Sequence, residues 1–226
     1  MRRPTSISSL LGLIAVGCFL AAHASAAPAP ALFHLSVTGT ASHQWTRTGP
    51  PEEQGSCTRT LTSEGIRRTR FRTARPVVVR LVGGRVLTAE IRGLTGTVTL
   101  GGANTIDERC GAEGTGQIAD CAQTKRSFAG GRARVSSPRP RAVQIGVVRG
   151  VRLRESDCPL EPAEVRNNPL GTRLGVLRLP DEAREERVSR ITVRASRSRR
   201  IFFAAPAAGN LREHAEWKLT FVRVKR

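Results

Sequence analysis

The sequence predicts an all-β fold: an antiparallel β-sandwich or a barrel-like variant of about ten short strands. Apolar and polar residues alternate along many short segments, which is typical of strands with one buried and one solvated face. Glycine-rich turn signals separate several of these segments. Apart from Pro180–Glu186, no segment has the amphipathic pattern of a helix.

The first alternating segment covers residues 32–38, where Phe33, Leu35 and Val37 face one side and the polar residues between them face the other. Gly83-Gly84-Arg85 separates two strands as a tight hairpin, and Gly93 ends one strand and starts the next, so residues 76–100 form a predicted meander. The remaining predicted strands cover residues 57–63, 67–73, 125–135, 142–154, 190–195, 199–204 and 217–221.

Three segments do not follow the strand pattern. Residues 101–122 are rich in glycine and predict a loop, and residues 155–172 carry three prolines and predict irregular structure. Pro180–Glu186 begins with proline and acidic residues, which suits one or two turns of helix. The stretch 136–140 is the one candidate for a domain seam, and we interpret it as a loop within one domain.

The N-terminal segment predicts export. Arg2 and Arg3 precede a short apolar run, and Ala24-Ser25-Ala26 forms a small-residue cleavage site. The run is too short to remain as a transmembrane helix. We therefore expect a signal peptide over residues 1–26, a single β-sandwich-like domain over 27–226 without a transmembrane segment, and a location outside the cell or at its envelope. A lipoprotein anchor at Cys18 is the alternative, but Ala15-Val16-Gly17 matches a lipobox poorly.

Four cysteines remain after cleavage: Cys57, Cys110, Cys121 and Cys158. An even number in an exported chain predicts two disulfides, with three possible connectivities. We favour Cys110–Cys121, which would close the glycine-rich loop, and Cys57–Cys158, which would cross the stretch 136–140. A zinc site is not expected, because no Cys-x-x-Cys occurs and no histidine lies near these cysteines in the sequence.

The chain has a net charge of +19, and nearly all of its cations are arginines. On several predicted strands the arginines occupy every second position, which would place them on an exposed sheet face. The predicted anion-binding residues on this face are Arg68, Arg70, Arg72, Arg152, Arg154, Arg190 and Arg194. Such a face would attract anionic cell-wall polymers or lipid headgroups. Alternatively, the arginines form an ordinary solvated surface and reflect the codon usage of a GC-rich bacterial genome.

Other binding and catalytic classes have less support in the sequence. Nucleic acid is not an expected partner, because the few aromatic residues fall on apolar faces and offer no stacking platform. No Gly-x-Ser-x-Gly marks a nucleophile near any of the three histidines of the mature chain, His34, His43 and His214. The acidic residues of the 101–122 segment match no calcium loop; they are Asp107, Glu108, Glu113 and Asp120. No catalytic residue, metal site or cofactor is therefore predicted.

Several segments together resemble the uncharacterised small secreted all-β proteins of actinobacteria that contain disulfides. These segments are Phe33–Thr40, Trp45, Cys57–Thr60, Asp120-Cys121, Asp157-Cys158-Pro159 and Ala215–Phe221. The resemblance covers most of the mature chain and implies shared architecture and disulfides. It implies no activity, because such proteins have no assigned function.

The sequence therefore predicts an exported, non-enzymatic protein that binds anionic cell-envelope polymers through a basic sheet face. One alternative is a structural or accessory envelope protein without an anionic ligand. The other is a secreted hydrolase, which would require a cleft that brings His34 or His214 beside a carboxylate and a serine.

Overall fold

A computed structural model describes residues 30–146, 158–171, 175–181 and 188–224. The predicted signal peptide, Arg152, Arg154 and most of Pro180–Glu186 lie outside these residues. The described chain forms eleven strands and one short helix: β1 (Ala31–Thr48), β2 (Glu52–Gln54), β3 (Cys57–Thr73), β4 (Val77–Val82), β5 (Arg85–Val86), β6 (Ala89–Cys110), β7 (Glu113–Ser136), β8 (Ala142–Ile145), α1 (Ala163–Asn167), β9 (Val176–Arg178), β10 (Arg190–Phe202) and β11 (Ala208–Arg223).

All eleven strands belong to one antiparallel sheet, which confirms the predicted all-β class. The strand order is β10-β11-β1-β3-β6-β7-β8-β9; β2 pairs with β3, and β4 pairs with both β1 and β5. The two ends of this order, β9 and β10, contact each other. One continuous sheet therefore curls around the interior, whereas a sandwich would stack two separate sheets.

The main hydrophobic core lies inside this curl. Trp217, Phe221, Leu35 and Leu219 are almost completely buried there, and residues from ten of the strands contribute to the same cluster. Burying each large apolar side chain stabilises the fold by about 1.5–3 kcal/mol. The core explains why the alternating segments at 32–38 and 217–221 were recognisable in the sequence, since both line it.

Several strands are longer than the sequence predicts. The segments 57–63 and 67–73 form the single strand β3, and 190–195 joins the first residues of 199–204 in the single strand β10, which ends at Phe202. The predicted loop at 101–122 is wrong: these residues form the far half of a hairpin between β6, which has 22 residues, and β7, which has 24. They extend past the main core with mostly polar side chains, so no buried apolar face marks them as strands.

The predicted meander is correct only at its first turn. Leu81 pairs with Val86 across the tight turn at Gly83-Gly84, as expected. However, β4 then pairs with the first residues of β1. Gly93 does not end a strand; it lies in a bulge within β6, with a φ of 71° that glycine adopts without strain.

The predicted disulfide pairing is wrong, although all four cysteines are oxidised in two bridges. Cys57 bonds to Cys110, and Cys121 bonds to Cys158. Cys57 and Cys110 lie directly opposite each other on β3 and β6. The expected Cys110–Cys121 bond assumed a compact loop, but the extended hairpin carries Cys110 to its tip while Cys121 lies opposite Gly102.

Residues 158–171 form a cover over the inner face of the sheet, from a second hydrophobic cluster to the main core, which Leu170 joins. This covering segment contains α1 and no strand. Its Val165 packs with Trp45, Leu100 and Leu211 in this second, smaller hydrophobic cluster. Trp217 Nε1 donates a hydrogen bond of 3.0 Å to the Leu170 carbonyl oxygen. No helix in the described part of the chain is long and apolar enough to cross a membrane.

Candidate functional site

The arginines of β3 lie on the outer face of the sheet, the side opposite the core. Arg68, Arg70 and Arg72 are exposed, whereas the residues between them, Thr69 and Phe71, are buried. Successive residues of a strand point to opposite faces, so the buried positions fix the direction of the arginines. The predicted exposed alternation is present on this strand.

The register of four neighbouring strands aligns outer side chains in rows that run across the sheet. One row contains Arg194 of β10, Lys218 of β11, Thr38 of β1 and Arg72 of β3. The next row contains Ser196, Glu216, Thr40 and Arg70 on the same four strands.

A trough lies between these two rows. It has a volume of about 590 Å³ and is lined by Arg70, Arg194 and Lys218, by Glu216, by Thr38, Thr40 and Ser196, and by the residues between the rows, Gly39, Phe71, Ala195 and Trp217. The side chains of Phe71 and Trp217 point inward and are 4% and 1% exposed. The floor of the trough is therefore mostly backbone.

Aromatic residues and glycines alternate beneath the trough, which explains its flat floor. Trp217, Gly39, Phe71, Gly96 and Phe128 pair in that order across five strands. A Cβ at Gly39 would collide with the ring of Phe71, and a Cβ at Gly96 would collide with the ring of Phe128. The ring centroids of Phe71 and Trp217 are 4.5 Å apart, within the range of favourable aromatic pairs. Only glycine leaves room for these rings.

The trough presents three cations and one carboxylate to solvent. Within the described residues, Arg70, Arg194 and Lys218 form no ion pair. An arginine guanidinium can bind a phosphate or carboxylate through two parallel hydrogen bonds. The trough can therefore hold an anionic group without first breaking an internal salt bridge.

The other predicted anion-binding residues lie at different distances from the trough. Arg72 is in the row that bounds it, and Arg68 is one row further along β3. Arg190 lies two rows beyond Arg194, opposite Val222. Arg152 and Arg154 are outside the described residues. The structure thus brings Arg70, Arg72 and Arg194 together and leaves Arg190 apart.

His214 lies next to the trough, in contact with a serine and a carboxylate. Ser198 Oγ is 2.8 Å from His214 Nδ1, and His214 Nε2 is 3.2 Å from Glu216 Oε1. These are the residue types of a hydrolytic triad. However, the side chains of His214 and Glu216 are 46% and 61% exposed, so water competes for both hydrogen bonds. His34 is exposed and lies between Val78 and Val222 on the neighbouring strands.

A second polar cluster lies on the inner face, between the two hydrophobic clusters. Arg199, Glu213, His43 and Arg67 pair in that order across β10, β11, β1 and β3. Arg199 NH2 donates a 2.7 Å hydrogen bond to Glu213 Oε2, and His43 Nε2 is 3.5 Å from the same oxygen. We call these four residues the buried charge layer.

The covering segment contacts the buried charge layer through two side chains. Asn168 Nδ2 donates to both carboxylate oxygens of Glu213 at 3.2 Å. Glu161 Oε1 is 3.3 Å from Arg67 Nε. Paired and hydrogen-bonded charges tolerate burial. The covering segment therefore supplies the counter-charge of Arg67 and adds hydrogen bonds to Glu213, which Arg199 and His43 already contact.

These contacts shift the titration of the buried groups. Burial raises the pKa of Glu213, but the polar contacts with His43 and Arg199 outweigh it and bring the pKa down to about 2. Burial lowers the pKa of the Arg67 guanidinium, and the Glu161 carboxylate partly offsets this effect. Glu213 is therefore ionised in the folded protein at neutral pH.

One group of potential metal ligands occurs among the described residues. Cys57, Glu108 and Cys110 bring ligand atoms within 4.8 Å of one another. Both sulfurs are in the Cys57–Cys110 disulfide, so Glu108 is the one remaining ligand. Asp107 contacts Arg109 at 3.3 Å.

Sequence reasoning missed Glu216, Lys218, Ser196, Thr38 and Thr40 as lining residues. Each lies at a polar position of an alternating strand, so their exposure was recognisable. Their proximity depends on the register of four strands that are distant in the chain. No protein-family model, curated protein or solved structure matches this chain.

Proposed function

We propose that this protein is exported and binds anionic polymers of the cell envelope through the trough and the arginines beside it. The observation that carries this proposal is the set of three unpaired cations, Arg70, Arg194 and Lys218, around one concave surface. Arg68 and Arg72 extend the positive surface along β3. A polymer that leaves the trough would therefore meet further cations.

The two disulfides and the N-terminal segment support a location outside the cytoplasm. Two disulfides suggest an extracellular or otherwise oxidising environment. The basic start, short apolar run and Ala-x-Ala site of the N-terminal segment support secretion with cleavage near Ala26. Envelope polymers and lipid headgroups are the anions such a protein would meet. Single-stranded nucleic acid is a weaker candidate, because Phe71 and Trp217 face inward and offer no stacking surface.

The first experiment measures binding of the purified protein to wall polymers, anionic lipid vesicles and a neutral glycan over a range of salt concentrations. We expect binding to the polyanions alone, with affinity that falls steeply as salt rises. For a flexible polyanion, the slope of log affinity against log salt is negative, and each lost phosphate contact should make it less steep by about 0.7. The variant Arg70→Ser/Arg194→Ser should make the slope less steep by about twice that amount.

A matched control removes two exposed arginines elsewhere. Arg132→Ser/Arg134→Ser carries the same change in net charge on β7 and should keep the slope of the unmodified protein. If both variants weaken binding equally, general charge and not the trough is responsible. If the unmodified protein ignores every polyanion at low salt, the structural or accessory alternative replaces this proposal.

A second candidate function is hydrolysis, which the contacts of His214 with Ser198 and Glu216 favour. In this arrangement His214 would take the proton from Ser198, and Glu216 would orient the imidazole. A fluorophosphonate probe tests the reactivity of the serine directly. Labelling that disappears in Ser198→Ala would support the hydrolase, and the absence of labelling at pH 8 would exclude a nucleophilic Ser198.

A further inference from the structure

We infer that the ligand of the trough is an acidic glycan that lies across strands β10, β11, β1 and β3. In this glycan a neutral sugar separates each acidic sugar from the next. This inference rests on the proposed function and specifies the chemistry of its ligand. Three features of the trough support it: the separation of its cations, the polar groups around them, and the position of Glu216.

The cations lie at the two ends of the trough. Arg194 and Lys218 are on β10 and β11, and Arg70 is on β3. Neighbouring strands are about 4.8 Å apart, and the two rows are two residues, about 6.6 Å, apart along the strands. The backbone position of Arg70 is therefore roughly 12–16 Å from those of Lys218 and Arg194. A ligand that satisfies both ends carries anionic groups at a comparable separation, as an alternating acidic and neutral sugar chain does.

The polar groups around the cations suit hydroxyl groups and not anions. Thr38 and Thr40 of β1 lie between the two ends, and Glu216 lies beside Lys218 on β11, in the row that leads to Arg70. Thr38, Thr40 and Ser196 supply hydroxyls that both donate and accept hydrogen bonds. Glu216 supplies a carboxylate, which accepts hydrogen bonds from sugar hydroxyls and repels phosphate or carboxylate. A polymer with an anion on every unit would place one against Glu216, whereas a chain with neutral sugars between its acids would not.

Replacing Glu216 should change the affinities for two kinds of ligand in opposite directions. The probes are a hyaluronan hexasaccharide, in which every second sugar is acidic, a polyphosphate chain, and neutral maltohexaose. Their affinities for the purified mature protein are measured by titration calorimetry at low salt. We expect Glu216→Gln to weaken hexasaccharide binding about tenfold, as loss of a charge-assisted hydrogen bond would, and to strengthen polyphosphate binding.

Two further variants separate local from general effects. Thr40→Val should weaken hexasaccharide binding and leave polyphosphate binding unchanged, because it removes a hydroxyl and no charge. Glu90→Gln, on the outer face of β6, removes an equivalent exposed carboxylate away from the trough and should change neither affinity. Both glutamates are exposed, so their variants are expected to fold, which thermal unfolding checks.

The outcomes distinguish failure of this inference from failure of the proposed function. If Glu216→Gln shifts both affinities in the same direction, or if polyphosphate outcompetes the hexasaccharide in the unmodified protein, the glycan assignment is overturned and polyanion binding stands. If maltohexaose binds as well as the hexasaccharide, acid groups are not recognised and the assignment also fails. If neither polyanion binds, both proposals fail together.

Discussion

Glu213 keeps its charge inside the protein because polar groups from three other elements surround it. His43 comes from β1, Arg199 from β10 and Asn168 from the covering segment. Glu213 is only 5% exposed. An ionised carboxylate at such a depth is stable only while its partners remain in place.

Replacing this carboxylate should therefore be costly. We expect Glu213→Gln to lower the free energy of unfolding by about 3 kcal/mol, because it leaves Arg199 without its anion. Urea unfolding followed by tryptophan fluorescence measures the change, since Trp45 and Trp217 are both buried. The control, Glu216→Gln on the same strand, alters an exposed side chain and should stay within about 0.5 kcal/mol. Equal effects would contradict a structural role for the buried charge layer.

The lowered pKa of Glu213 also predicts how stability depends on pH. In the unfolded chain the carboxyl titrates near its ordinary pKa of 4.5, and in the folded protein its pKa is about 2. Its contribution to stability is present above the unfolded pKa and is lost as pH falls toward the folded pKa. The difference in unfolding free energy between the unmodified protein and Glu213→Gln should therefore shrink between pH 7 and pH 3. A constant difference over this range would show that Glu213 is not the group that titrates.

The two faces of one strand differ in how well the sequence predicts them. The exposed arginines of β3 were recognisable because they alternate with residues of the other face. Arg67, which is buried on that other face, was not recognisable, because an inward arginine resembles an exposed one until its partner Glu161 is known. That partner lies nearly a hundred residues away along the chain.

At the scale of elements, the inward polar residues also explain why strand lengths were underestimated. On β1 the inward positions run from Val37 through Gly39 and Ala41 to His43 before Trp45 restores a large apolar side chain. The alternating pattern fades there although the backbone pairing continues. The same interruption occurs on β11 at Glu213.

One disulfide, Cys121–Cys158, joins the covering segment to the sheet. We expect Cys121→Ser/Cys158→Ser to accelerate hydrogen exchange at the amides of Trp45 and Leu211, because the second hydrophobic cluster loses its anchored cover. Amides of Leu35 and Leu219, in the main core, should keep their protection. The matched variant, Cys57→Ser/Cys110→Ser, should accelerate exchange only toward the tip of the β6–β7 hairpin. Uniform acceleration by both variants would contradict this division.

The disulfide pairing can be checked without any substitution. Loop-closure entropy assigns each observed bridge a stabilisation of about 4 kcal/mol. Peptide mapping of the unreduced protein should recover a Cys57–Cys110 peptide and a Cys121–Cys158 peptide. A Cys110–Cys121 peptide would instead support the compact loop that the sequence suggested and would contradict the long hairpin.

At the scale of the whole molecule, acidic residues concentrate at one end of a strongly basic protein. Asp107, Glu108, Glu113 and Asp120 all lie on the far half of the β6–β7 hairpin. Asp107 pairs with Thr60, ten residues along β3 from Arg70, which corresponds to about 33 Å. This distance exceeds the screening length of about 8 Å at physiological salt.

Neutralising these four acids as amides should therefore change polyanion binding only when salt is low. We expect an unchanged Kd at 0.15 M salt and a tighter Kd at 0.01 M salt, where the screening length is about 30 Å. Binding titrations at the two salt concentrations test this expectation. Equal tightening at both would show that the hairpin touches the ligand directly.

The alternation of apolar and polar residues along each segment predicted the fold class, but it did not predict the candidate site. The trough joins residues 38–40, 70–71, 194–196 and 216–218, and no local signal states that these four segments become neighbours. Their adjacency comes from the strand order, which hydrogen bonding and the shared core determine. Sequence reasoning therefore identified two lining arginines, Arg70 and Arg194, and missed the carboxylate of Glu216 beside them.

The alternating rings and glycines beneath the trough have an evolutionary consequence. Because Trp217, Gly39 and Phe71 direct no side chain outward, a ligand above them meets peptide groups that any sequence would supply. Substitutions at Thr38, Thr40, Ser196 or Glu216 can change what is recognised without disturbing the packing one residue away on the same strand. Related proteins could thus diversify in ligand choice while inheriting the same interior.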